Sequence, residues 1–456
     1  MIAWRSALLL LLVLGLAACG GGSSSATPAG PAPTQAFPEA WTQYVKTEAK
    51  PIRSLDLDSP DDSDLAFLDP LLAGKRLVTL GESGHGVAEF SQAKIRLIKY
   101  LHEHLGYDVI AFESSILSCY RGNERASNLD ATTLMQSSVF GVWSTGDVVK
   151  LFAYLKATQA TAHPLILAGF DIQLTTADER QARPAVFQEV VAKVDPVYAQ
   201  QVFDLDTTFI QNRASATYLK ANLDSLKASY QALTSFLDGH MGALQQAFPD
   251  RPLYPLVVRQ AAWGMTDYLD ELYAGYVSQN LTQGYKVRDA GMAANLQTLL
   301  DTFYPDRKVM AWAHNDHLMH DEPGTTLYPV FKNLGNWIRD RYGASVYTLG
   351  LYMYEGSAAK NDQGIYPIPP AQAGTLENLL HQSGQAVSFL DLSQAGTGPG
   401  AAWMFSRMDV RDWGLTTFQM VPHAQFDGIL LVDTVHPPTY VPLPVGAGIG
   451  PPPIRP

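Results

Sequence analysis

Residues 76–90 read Arg76-Leu77-Val78-Thr79-Leu80-Gly81-Glu82-Ser83-Gly84-His85-Gly86-Val87-Ala88-Glu89-Phe90. A short apolar run stops at a glycine-rich turn, and from Val87 to Leu105 Phe90, Ile95, Ile98 and Leu101 recur near the spacing of a helix. The pattern predicts a strand that turns sharply into a helix. Glycines around Glu82 and His85 free the backbone to bring both side chains to one pocket. A carboxylate beside an imidazole fixes its tautomer and raises its basicity, the arrangement needed to take a proton from water or a hydroxyl.

Three more apolar runs end on an ionisable group. Tyr107 to Phe112 runs into Glu113, Leu165 to Phe170 into Asp171, and Val309 to Ala313 into His314. A second helical pattern covers Asp147 to Thr158. Strands that alternate with helices imply an α/β fold with a mostly parallel central sheet flanked by helices. Ligands bind such sheets outside the carboxyl ends of the strands, where the four groups would meet. The strands ending in Glu82 and Glu113 are expected to be neighbours, holding the carboxylates close enough to divide acid and base roles. Ser345 to Leu351 and Gly428 to Asp433 are further strand candidates, and Leu327 to Arg341 is expected to be helical.

Ala313-His314-Asn315-Asp316-His317 adds two imidazoles three residues apart. With Glu82, His85 and Glu113 they would supply enough N and O ligands for zinc or manganese, so a divalent metal stays open although no cofactor is required. No Gly-x-Ser-x-Gly elbow, Walker loop, Gly-x-Gly-x-x-Gly, His-Glu-x-x-His or Cys-x-x-Cys occurs, and Cys119 has no identifiable base. A water activated by His85 is the simplest chemistry. A metal-dependent hydrolase, or a metal- or haem-binding protein without turnover, would use the same His and Glu cluster.

Residues 182–280 lack strand signals and carry long amphipathic stripes such as Val258, Ala262, Met265, Leu269, Leu272 and Tyr276. Their spacing predicts an all-helical insertion capping one side of the crevice. Residues 437–456, rich in Pro and Gly, are expected to be an extended or disordered tail. At the other end, residues 1–18 have one positive charge at Arg5, an apolar run and then Leu16-Ala17-Ala18-Cys19, the pattern of a signal peptide. Residues 19–37 form a Gly, Ser, Ala and Pro tether. The body, 38–436, then hangs from Cys19, and with only two cysteines in the sequence Cys119 has no intrachain disulfide partner once Cys19 is lipidated. The formal net charge of −12 argues against nucleic acid or an anionic membrane surface as the partner, since both reward clustered Lys and Arg.

Leu-Ala-Ala-Cys followed by glycine resembles the lipobox of bacterial lipoproteins, which implies a lipid on Cys19, export to the cell envelope and a membrane contact made through that lipid alone. In the body, Leu80 to Gly86 with Glu89-Phe90, then Phe112-Glu113, Gly169-Phe170-Asp171-Ile172-Gln173, Arg288-Asp289 with Met292 and Asn295, and Trp312 to His317 resemble the erythromycin esterase family. The likeness runs in order from about Leu77 to Asp433. It implies hydrolysis of a small-molecule ester or macrolactone by a His-activated water, without a covalent intermediate. By position His85 would be the general base, with Glu82, Glu113 and His314 orienting the water and polarising the site. Lys94 stands where the family usually has an arginine, with Arg96 two residues on, and the two join Asp171 and His317 as expected substrate-binding residues. An ammonium in place of a guanidinium gives up the planar fork that positions a carbonyl or carboxylate.

Overall fold

The computed structural model describes residues 37–443 except 395 and 397. Cys19, the signal segment, nearly all of the tether and residues 444–456 lie outside the described residues. The strands are β1 (Lys50–Pro51), β2 (Leu77–Leu80), β3 (Tyr107–Ser115), β4 (Ile166–Asp171), β5 (Lys308–Trp312), β6 (Val346–Ala359), β7 (Ile365–Ile368), β8 (Val387–Asp391), β9 (Met408–Asp412), β10 (Thr416–Met420) and β11 (Gly428–Val435). Among the described residues nine of them form one sheet, in the order β1-β8-β11-β6-β2-β5-β3-β4, with β7 paired to the far end of β6. The run from β11 to β4 is parallel throughout, and β8, β1 and β7 join it antiparallel. Strands β9 and β10 form a separate hairpin.

Alternation along the strands assigns each face to one core. Val78, Leu80, Ile110, Phe112, Met310 and Trp312 face the helices Ala88–Leu105 and Gly146–Thr158. Leu77, Val109, Ala111, Val309 and Ala311 face the helices that run between β4 and β5. Side chains on a strand alternate between faces, so a sheet buried on both sides is apolar at successive positions. Helix starts follow local chemistry: Ser115 accepts from the Leu117 and Ser118 N–H groups, Thr145 from Val148, and Asn333 forms a capping box with Asn336. Gly106, at φ +71°, ends the helix that began at Ala88.

Four expectations are corrected. Strands β2 and β3 are not neighbours, because β5 lies between them and pairs with both. The register places Leu80, Trp312 and Phe112 side by side, so His314 leaves the sheet between the two carboxylates rather than beside them. The helical segment runs from Ala177 to Phe303, past the expected 280, because the chain needs its last long helix, Leu281–Thr298, to return to the sheet. The helix expected from Leu327 starts at Leu334, where Asn333 provides the cap. At the tail, Tyr440 pairs with Thr145 and the Val441 N–H donates to the Ser144 carbonyl, so residues up to 443 pack against the body.

Gly86 shows how tightly the β2 turn is held. Its carbonyl accepts from the Ala359 N–H at 2.8 Å, and a Cβ added there would lie 2.0 Å from the Ala359 carbonyl oxygen. Gly86→Ala must push two backbones apart, with an expected cost of about 1–3 kcal/mol. Chemical denaturation beside the parent protein checks this, and an unchanged midpoint would show that the turn relaxes freely.

Candidate active site

Glu82 leaves β2 and is completely buried. Its Oε1 accepts from Trp143 Nε1 at 2.9 Å and lies 2.7 Å from His85 Nδ1, while Oε2 pairs with Lys94 Nζ. Burial alone would raise the Glu82 pKa, but the charges of Lys94 and His85 overcome it and hold the carboxyl below its usual value. Lys94 is itself brought down to about 8, burial outweighing the pull of Glu82, and its ammonium sits 3.9 Å over the Trp312 ring. Since Nδ1 faces Glu82, His85 presents Nε2 away from it, and among the described residues Nε2 has no hydrogen-bond partner.

The His85 ring lies 5.1 Å from that of His314 and 5.5 Å from that of Trp413, and it meets Trp143 edge-on at 5.4 Å. His314 caps the short helix Asn315–Leu318, and its backbone N–H donates to Glu113 Oε2 at 3.0 Å. Its Nδ1 lies 3.3 Å from an Asp316 carboxylate oxygen and its Nε2 lies 3.7 Å from Asp412 Oδ1. Burial lowers the His314 pKa, but Asp316 and Asp412 more than reverse this and push it up to about 9.

Behind His314 lies a buried ion network. Arg288, on the helix Leu281–Thr298, donates to Glu113 Oε1 at 2.7 Å and to Asp171 Oδ2 at 2.5 Å. His317 bridges Asp289 at 2.9 Å and Glu113 at 3.3 Å. Burial opposes charge on both Glu113 and His317. Their partners win, holding Glu113 well below and His317 well above the ordinary values. The network ties the β3, β4 and β5 ends to the helical segment.

Glu82, His85, Glu113 and His314 are thus brought together. Asp171 and His317 belong to the ion network, and Lys94 is held on Glu82. Arg96 is turned elsewhere: its guanidinium forks onto Asp64 at 2.6 and 2.9 Å and reaches the Ser54 carbonyl. Residues two apart on a helix point to nearly opposite sides, so Lys94 and Arg96 cannot both face the site. Trp143, Asp412 and Trp413 were not singled out from the sequence. Trp413 sits at the tip of the β9–β10 hairpin with φ +52°, held by its N–H to the Ser83 carbonyl at 2.8 Å and by Tyr366 Oη to its own carbonyl at 3.0 Å. A bulky residue in the left-handed region is strained, and such strain gathers at functional sites. The hairpin itself was legible, since Asp412-Trp413-Gly414 interrupts two alternating runs.

Another buried carboxyl, that of Glu271, lies in the helical segment. Glu271 hydrogen-bonds Gln173 and is raised to about 8, chiefly by burial, with Arg288 opposing. The folded value lies above the unfolded one, so the native state holds this proton from about pH 4.5 to about 8, and stability falls as pH rises through that window. Glu271→Gln is expected to remove that slope. Its melting temperature should gain on the parent from about pH 5 to about pH 9. A difference that is constant with pH would contradict the assignment.

Buried ion pairs and several His–carboxylate contacts thus gather at the carboxyl ends of the parallel strands, where α/β folds place their ligands. The family model for erythromycin esterase matches residues 102–435, a span that begins after Glu82 and His85. The protein YbfO of Bacillus subtilis (strain 168), which bears the name of a hydrolase, is 30% identical over 420 residues, covering 88% of this chain and 92% of that protein. The chain belongs to the erythromycin esterase family of hydrolases. Three solved structures share the fold. A Bacillus cereus protein has a TM-score of 0.74 at 16% identity, covering 88% of this chain and 98% of its own. A protein described as a succinoglycan biosynthesis protein scores 0.72 at 18%, covering 91% and 100%. A mutant of the erythromycin esterase EreC in its open conformation scores 0.68 at 18%, covering 87% and 100%.

Proposed function

We propose that the protein is a lipid-anchored hydrolase that cleaves a carboxylic ester or macrolactone with a water activated by His85. The observation that carries this reading is the 2.7 Å contact from His85 Nδ1 to a buried Glu82 whose other oxygen is neutralised by Lys94. A carboxylate so fixed keeps the imidazole in the tautomer with Nε2 free, and stabilises the charge that builds on the ring as it takes the water's proton. His314, whose pKa Asp316 and Asp412 push up to about 9, stands across from His85 as the group that polarises the carbonyl and meets the developing oxyanion. Glu113 acts through His314 by fixing its backbone N–H. Attack by water leaves a carboxylic acid and an alcohol, and the proton held by His85 passes to the leaving oxygen.

The lipid on Cys19 places this chemistry outside the cytoplasm at the cell envelope, where a macrolide antibiotic or another external ester could be opened before entry. The Leu16-Ala17-Ala18-Cys19 sequence supports that location. A panel of carboxylic esters, macrolactones, phosphoesters and amides tests the activity. Turnover confined to esters or lactones is expected. Turnover of phosphoesters or amides alone, or none across the panel, overturns the reading.

A further inference from the structure

We infer that His314, Asp316 and Asp412 form a site for one divalent first-row transition ion, a proposal that rests on the esterase reading only for what the ion would do there. The three side chains come from two separated segments. His314 and Asp316 follow β5, and Asp412 ends β9 at the hairpin tip. Each offers a ligand atom, and the three atoms lie within 4.8 Å of one another. Three ligands bound at about 2.1 Å around one ion lie about 3.4–3.6 Å apart, so the side chains must draw together by up to about 1 Å to close the set.

A cluster of acids alone would not suffice, since such clusters are often only solvated. Here the imidazole is 4% exposed, and two of the facing atoms, His314 Nε2 and Asp412 Oδ1, are buried without a hydrogen-bond partner although only 3.7 Å apart. Buried polar atoms left unsatisfied are costly, and a cation between them would satisfy both. Trp413, stacked on His314 at 5.6 Å, and the Trp413 N–H to the Ser83 carbonyl hold the hairpin where Asp412 completes the set.

One imidazole nitrogen and two carboxylate oxygens suit zinc or manganese better than copper(I), which takes thiolate, or calcium, which takes six or more oxygens. Three protein ligands leave positions open, as in catalytic rather than structural sites. An ion there would supply Lewis-acid polarisation across from His85, in place of the charge that the imidazolium carries without it.

The full chain, stripped with chelator and titrated with Zn²⁺ and with Mn²⁺ by calorimetry, tests this without reference to activity. Binding of one ion per chain is expected. Asp412→Asn and, independently, Asp316→Asn should each weaken it on the order of tenfold or more, since even indirect partners of a metal are worth that much. Both variants should melt close to the parent, so that a fold defect is told apart from a lost ligand. No stoichiometric binding, or binding unchanged in either well-folded variant, overturns the site. Should the ion bind as expected while the ester and lactone panel shows no turnover, the site stands and the esterase reading falls.

Discussion

His85→Ala is expected to cut kcat for the ester or lactone substrate by about 10²–10⁴-fold, the usual contribution of a positioned general base. The melting temperature should stay close to that of the parent. The side chain of His85 is 13% exposed, and its loss leaves Glu82 still bonded to Trp143 and Lys94, so no buried charge is abandoned. His85→Gln fills much of the same space without a base, and should lose as much. A loss in KM alone, with kcat retained, would make His85 a binding residue. Unchanged kinetics in both variants would move the base elsewhere.

Arg288→Met is expected to be the most destabilising single change. The guanidinium is the shared partner of Asp171 and Glu113, both buried, and it joins the helix Leu281–Thr298 to the ends of β3 and β4. Removing one partner of a buried pair leaves its carboxylates uncompensated, at a cost of about 3–5 kcal/mol. His317 remains 3.3 Å from Glu113 and moderates the loss there, whereas Asp171 has no second cation in hydrogen-bond contact among the described residues. The added change Asp171→Asn should therefore restore part of the stability. Urea unfolding of the single and double variants reads this directly. A cost below about 1 kcal/mol for Arg288→Met would place the network in the class of weak exposed pairs.

The β2 turn was legible because its information is local. Apolar alternation, glycines and helical spacing all fall within some thirty residues, and the structure follows them from Leu77 to Leu105. Strand order was not legible in the same way. β5 enters between β2 and β3 only after a helical segment of well over a hundred residues, and no local pattern records which neighbour a buried parallel strand will choose. Strands β1 and β7 escaped notice because they have two and four residues, and β8 because it joins the sheet antiparallel, outside the parallel set that the strand–helix alternation describes. The site divides along the same line. Glu113 and His314 stand directly after apolar runs, Glu82 one glycine later, and could be found there, while Arg288, singled out only as part of the family resemblance, shows its role once Asp171 and Glu113 are seen beneath it. Asp412 and Trp413 owe their place to a hairpin folded over the Ser83 loop, a long-range contact with no counterpart in spacing.

The central claim is that Glu82 and His85 act as one unit on water, and a double-mutant cycle on kcat/KM tests it most directly. Glu82→Gln, His85→Ala and the double variant would be compared on the ester or lactone that the panel identifies. If Glu82 serves only to orient and charge His85, its loss matters little once the imidazole is gone, and the double variant should be about as slow as His85→Ala alone. Losses that multiply, with the double variant slower by the product of the two single effects, would contradict the dyad and give Glu82 and His85 separate roles.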